Sequence, residues 1–197
     1  ILEGSSEIMK LFLAREAIDP HLKRAGVLLN PKAPIGQKLT GFFHAVAFYS
    51  SWYPQKWWKE HIGTVPKDAG LLAPYLHFVE KRSHKLAKAI FHAMARYQQK
   101  LEQRQMLLGR LMEIGCDLFA ITSVCSYALM LQKKTPEDPS AVELADYFCR
   151  LARRRIDHAF RALSQNDDKA ANIFAKKALE KSYRWLEEGI VWLGPDN

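Results

Sequence analysis

The side chains through which this chain could do chemistry are its histidines, cysteines and arginines, and each group has its own spacing. His77, Glu80 and His84 lie near one another on one helical stretch, but two imidazoles with no third ligand in view fall short of a metal site. No metal is expected. Cys116, Cys125 and Cys149 sit inside apolar helical patterns without a C-x-x-C spacing. That usage points to free, buried thiols in a reducing intracellular compartment, bacterial cytoplasm or mitochondrial matrix, rather than to a disulfide framework. Arg150, Arg153, Arg154, Arg155 and Arg161 crowd one helix. Such a face could grip phosphate groups, but no nucleic-acid motif accompanies it, so a solvated or subunit-facing side is expected and nucleic acid is not. The formal net charge of +8 favours acidic partners without choosing among phosphate-bearing ligands, anionic lipid, nucleic acid and an acidic protein face.

These groups need elements to hold them, and the chain supplies helices. With 48% hydrophobic and 25% charged residues the composition is globular, and the length allows one good core plus an appendage. Gln105 to Gln132 reads as the spine. Leu108, Leu111, Met112, Gly115, Leu118 and Phe119 repeat one face of a 3.6-residue helix, and no charge appears from Leu118 to Leu131. A bilayer span needs roughly 20 apolar residues, more than this uncharged run offers, so the segment reads as a central core helix.

Before the spine, Leu71 to Leu101 forms a helix with Pro74 in its first turn. It buries Leu76, Val79, Leu86, Ile90, Ala93, Met94 and Tyr97, and its wet face carries Lys81, Lys85, Lys88 and Arg96. After the spine, Ser140 and Glu143 have capping-box spacing, so a helix starts at Ser140 and buries Leu144, Tyr147, Phe148, Leu151, Ile156, Ala159, Phe160 and Leu163. Asp167 or Asp168 caps a last helix, Lys169 to Gly189, buried through Ile173, Phe174, Ala178, Leu179, Tyr183 and Leu186. Trp185 or Trp192 would seal one end of the bundle. No internal repeat is present.

At the other end, a Gly-Ser-Ser turn leads into Ile8, Leu11, Phe12, Ala14, Arg15 and Ile18 on a helical period. Ser5 or Ser6 is its cap and Pro20 its stop. The stretch from Glu3 through Gly4, Ser5, Ser6, Glu7, Ile8, Met9, Lys10, Leu11, Phe12, Leu13, Ala14 and Arg15 to Glu16 resembles the E-G-T-x-x-I-x-R-L-x-x-A-R-E segment near the end of the catalytic core of flavin-dependent acyl-CoA dehydrogenases. The resemblance implies that Glu3 is the general base removing the α-proton of the thioester, a task that suits a carboxylate held in a dry pocket. It also implies that Gly4 and Ser5 contact FAD, with Ser5 in place of the usual threonine. Glu7 and Met9 stand where the family often has glutamine, and those contacts are not carried over. The remainder is similar to the appended helical domain of the very-long-chain type, through Gln105-Met106-Leu107-Leu108-Gly109-Arg110-Leu111 and Cys116-Asp117-Leu118-Phe119-Ala120, which echo Q-x-L-L-x-R-L and I-D-L-Y-A.

The resemblance further implies an acyl-CoA substrate of long or very long chain, an electron-transfer-flavoprotein-like acceptor and a homodimeric parent in fatty acid β-oxidation. The chain opens in mid-phrase and carries no G-x-G-x-x-G and no strand-like stretch, so a fragment of a longer enzyme is expected, with no cofactor and no activity of its own. The competing class is a non-enzymatic helical scaffold or membrane-surface module in which Glu3 does nothing chemical.

Between the two helical regions, prolines 31, 34, 54 and 66 and five glycines mark residues 22–70 as a linker with at most one or two short helices. Residues 38–61 carry Phe42, Phe43, Phe48, Tyr49, Trp52, Tyr53, Trp57 and Trp58 among Lys38, Lys56 and Lys59. They either lie in a membrane surface or pack on protein. The expected architecture is thus all-α: residues 1–21 closing a dehydrogenase core, the linker 22–70, and an up-down four-helix bundle over 71–197.

Overall fold

In the computed structural model, residues 6–29, 34–58 and 65–186 are described, and among them the chain is all-α with no strand. The helices are α1 (Ser6–Leu29), α2 (Ile35–Trp58), α3 (Ala73–Tyr97), α4 (Gln105–Lys134), α5 (Ser140–Ala162) and α6 (Asp168–Leu179), with 3-10 turns at Gly70–Leu72, Gln98–Gln103 and Arg184–Leu186. Residues 1–164 form one unit and residues 165–197 a second.

The first unit is built around α4, which α1, α3 and α5 all contact. Its Leu118, Ile121, Cys125 and Ala128 enter one cluster with Leu72 and Tyr75 from the α3 side and Val142, Ala145, Cys149, Ala152, Ile156 and Phe160 from α5. Its Leu108, Leu111 and Met112 enter a second with Ala14 of α1 and Ala93 and Met94 of α3. The spine reading of α4 therefore holds, with Phe119 as an exception at 74% exposure.

Small residues set the α4–α5 seam. Ala145, Cys149 and Ala152 let the two backbones approach, and the Cys125 and Cys149 sulfurs lie 3.6 Å apart as free thiols. The hydrogen bond to Cys125 together with burial pushes the Cys149 thiol up. Cys116, expected to be buried, is exposed. On α5 the buried stripe is Val142, Ala145, Cys149, Ala152, Ile156 and Phe160, so Leu144 and Tyr147, expected inside, lie outside. Large apolar residues mark two sides of this helix, and the smaller ones fit the close seam.

The start of α5 is at Ser140 as expected, but no capping box forms. The Ser140 amide donates to Asp138 Oδ1 at 2.9 Å, and bonding from the Ser140 hydroxyl together with this amide holds the Asp138 carboxyl below its usual range.

Two further expectations give way. The helix α1 continues through Pro20 to Leu29. The linker contains α2, 24 residues long with Pro54 inside it, because Pro34 stands just before the helix and Pro66 well after it, so most of the breakers mark its ends. Ala45 is buried on its inner side, and Tyr49 and Tyr53 lie against Phe91 of α3 at ring distances of 4.8 and 5.8 Å. With α3, α4 and α5, the fourth helix of the bundle is α1. In the second unit α6 has no buried residue: Ile173, Phe174, Leu179 and Leu186, read as core, are exposed, Tyr183 is half-buried, and Phe174 and Tyr183 stack at 4.8 Å. Trp185 is also exposed. Trp192 lies outside the described residues.

Candidate functional site

Glu3, Gly4 and Ser5 precede Ser6, where α1 begins, and lie outside the described residues. The helix that follows them is described, and Lys10 on it donates to Glu113 Oε1 of α4 at 2.8 Å, tying the end of this motif to the bundle's spine. His77, Glu80 and His84 share α3, and among the described residues no three His, Cys, Asp or Glu side chains gather as metal ligands.

The arginines of α5 do not form one free face. Arg155 grips Asp117 of α4 through Nη2 and Nε at 2.6 and 3.0 Å, an arrangement that keeps its guanidinium cationic. Arg150 pairs with Asp146 at 2.9 Å, and Tyr75 donates to the same carboxylate. Arg153 stacks over Phe78 at 4.8 Å. Arg82 of α3 reaches Asp157 at 2.6 Å while lying over the Phe78 ring. Arg82, Arg153 and Arg155 thus tie α3 and α4 to α5. Two clefts remain. One of about 810 Å³ has Leu76, Val79, Leu129 and Met130 as its apolar wall and the Lys133–Asp68 pair at one end. The other, about 650 Å³, lies where α1, α4 and α5 meet and is rich in cations.

The aromatic segment divides. Its Tyr49 packs on Phe91, and Tyr53 Oη lies 3.0 Å from His92 Nε2 of α3, so these rings contact protein. Ile35, Leu39, Phe42, Phe43 and Val46 recur at helical spacing on α2 and are exposed, Ile35 at 85% and Phe43 at 63%. The side chains of Trp52, Trp57 and Trp58, and residues 59–64, lie outside the described residues. Ile8, Met9, Phe12 and Leu13 of α1 are also about half exposed. Aromatic density drew attention to residues 38–61, whereas the exposed stripe starts at Ile35 and is partly aliphatic. A period count over Ile35, Leu39, Phe42, Phe43 and Val46 could have found it.

α4 is long and apolar enough to cross a membrane, with 28% of its most apolar stretch buried. Its contacts with α1, α3 and α5 are those of a bundle's central helix.

A helical bundle wrapped on one long apolar helix, with no strand among the described residues, is an all-α domain in class. Residues 72–182 match the family described as ACAD9/ACADV, C-terminal domain, and the chain belongs to it. The chain is also 45% identical over 193 residues, 97% of its length, to the probable acyl-CoA dehydrogenase FadE10 of Mycobacterium bovis and of Mycobacterium tuberculosis. It spans 30% of the length of these curated relatives. No solved structure matches it.

Proposed function

We propose that the chain is the C-terminal helical part of an FAD-dependent acyl-CoA dehydrogenase acting on long or very long acyl chains in fatty acid β-oxidation. The observation that carries this reading is the 45% identity to probable acyl-CoA dehydrogenases across 97% of the chain, joined to the E-G segment at residues 3–16. In the parent, Glu3 would take the α-proton of the acyl thioester while Gly4 and Ser5 lie against the flavin, whose part is to accept the β-hydride. Acyl-CoA, an electron-transfer-flavoprotein-like acceptor and a second copy of the parent are the partners, and the compartment is reducing, bacterial cytoplasm or mitochondrial matrix. The unlinked thiols of Cys125 and Cys149, side by side in the seam, support that compartment.

The test is Glu3→Gln in the full-length parent. The amide keeps the shape of the carboxylate and cannot accept a proton, so acyl-CoA binding should persist while flavin reduction falls by roughly three or more orders of magnitude. Flavin bleaching at the wild-type rate in a single turnover would return Glu3 to an ordinary turn residue.

A second role rests on α2. Its exposed stripe from Ile35 to Val46 suits shallow insertion into a lipid surface, where the parent's long acyl substrates partition, with the chain's excess positive charge drawn to anionic headgroups.

A further inference from the structure

The cleft where α1, α4 and α5 meet is lined by Lys10, Arg110, Arg154, Arg155 and His158, with Glu113 and Asp117 as its carboxylates. Each carboxylate is already engaged: Lys10 holds Glu113 at 2.8 Å and Arg155 holds Asp117 at 2.6 Å. Arg154 lies beyond the cations that these two pairs use and faces the same space, with His158 as an additional donor. Arg154 and His158 stand one turn apart on α5, so both point to the same side of that helix. Both are exposed, and neither has an ion pair or hydrogen bond among the described residues. Three other arginines of α5 behave differently: Arg150, Arg153 and Arg155 are committed to Asp146, Phe78 and Asp117.

We propose that this cleft is a binding site for a phosphate-bearing ligand, with Arg154 and His158 donating to its oxygens and Lys10, Arg110 and Arg155 supplying the surrounding field. A guanidinium fork matches the geometry of phosphate oxygens, and with both carboxylates of the cleft already paired, Arg154 and His158 are left to meet an anion. The walls help: Ala159 and Ala162 contribute apolar surface, which lowers the local dielectric and strengthens each charged contact relative to open solvent. The inference stands apart from the proposed dehydrogenase role, since it uses none of residues 3–5 and none of the α2 stripe.

Cys116 lines the same cleft and is the exposed one of the three cysteines, so its alkylation by iodoacetamide reports occupancy directly. Inorganic pyrophosphate should bind the chain in calorimetry and slow alkylation of Cys116, while sodium chloride at matched ionic strength should not. Arg154→Gln with His158→Gln should weaken pyrophosphate binding at least roughly tenfold, as expected for lost charge-assisted hydrogen bonds, with the helical circular dichroism unchanged. Monomeric dihexanoyl phosphatidylglycerol, below its micelle concentration, separates the sources of phosphate. Stronger protection by pyrophosphate assigns a soluble phosphate ligand, and stronger protection by the short lipid assigns a headgroup. Failure of both to bind up to millimolar concentration, equal affinity in the double variant, or equal protection by chloride would each overturn the proposal.

Discussion

Replacing Phe42 and Phe43 together by glutamine tests the lipid role of α2 without disturbing the fold. The two rings are 51% and 63% exposed, and glutamine is as good a helix former as most, so the helix should persist. A phenylalanine carries roughly 150–250 Å² of surface, which leaves about 100 Å² on each ring free to enter a lipid boundary. At ~25 cal/mol per Å² the pair represents about 5 kcal/mol on full immersion. An interfacial helix sinks only its apolar face, and taking half of that area leaves about 2.5 kcal/mol, or about 60-fold in partition. Co-sedimentation with anionic liposomes should fall by that order while thermal stability and circular dichroism stay as in wild type. Raising the salt should weaken wild-type binding further through screening of the basic surface. Wild-type chain left in the supernatant at low salt, or a double variant that sediments as wild type does, would refute the reasoning. The stripe would then belong to a protein contact.

Truncating Ile156, fully buried on α5, to alanine should cost about 2–5 kcal/mol by denaturant unfolding, whereas Leu144→Ala, at 71% exposure, should stay within about 0.5 kcal/mol; the reverse order would move the buried face of α5. Native chain should react with Ellman's reagent at Cys116 alone, and Cys125 and Cys149 should become reactive only on unfolding. Since the folded pKa of Asp138 is depressed, by its bonds to the Ser140 hydroxyl and amide, its contribution is present above the ordinary carboxylate range and is lost as pH falls through the folded value. Asp138→Ala should therefore be less stable than wild type near neutrality, with the gap closing in acid, and a gap independent of pH would mean that the cap is not electrostatic.

How much of this was legible in the sequence depended on whether a residue's environment lies within its own helix. The spine from Gln105 and the start of α5 at Ser140 follow from local pattern, and both stand. The cap of α5 was misassigned because Asp138, Ser140 and Glu143 all have suitable side chains, and only geometry shows that Asp138 takes the Ser140 amide. The linker was misjudged for another reason. The number of breakers in 22–70 says nothing of where they fall, and the helix α2 occupies Ile35–Trp58 with its inner face held by Ala45, Tyr49 and Tyr53. Tertiary packing overrides the single internal Pro54. The cationic cleft was visible only as an arginine-rich helix, since which arginines are spent on Asp117, Asp146 and Phe78 is a fact of the neighbouring helices.

The same distinction explains the residues wrongly placed inside. Phe119, Leu144 and Tyr147 follow apolar periods but lie at 74%, 71% and 61% exposure, while Ala145, Cys149 and Ala152 fill the seam with α4. A helical period says that a face is apolar and is silent on what covers it, so a surface destined for another body and a surface destined for the core carry one signature. Size separates them here. Small side chains at Ala145, Cys149 and Ala152 let the α4–α5 seam close, with Ile156 and Phe160 buried beyond them, while Leu144 and Tyr147 are left on the outer sides. In a domain whose relatives are more than three times its length, large exposed apolar residues of this kind on α2, α4 and α5 are the first places to look for the contacts that join it to lipid or to protein.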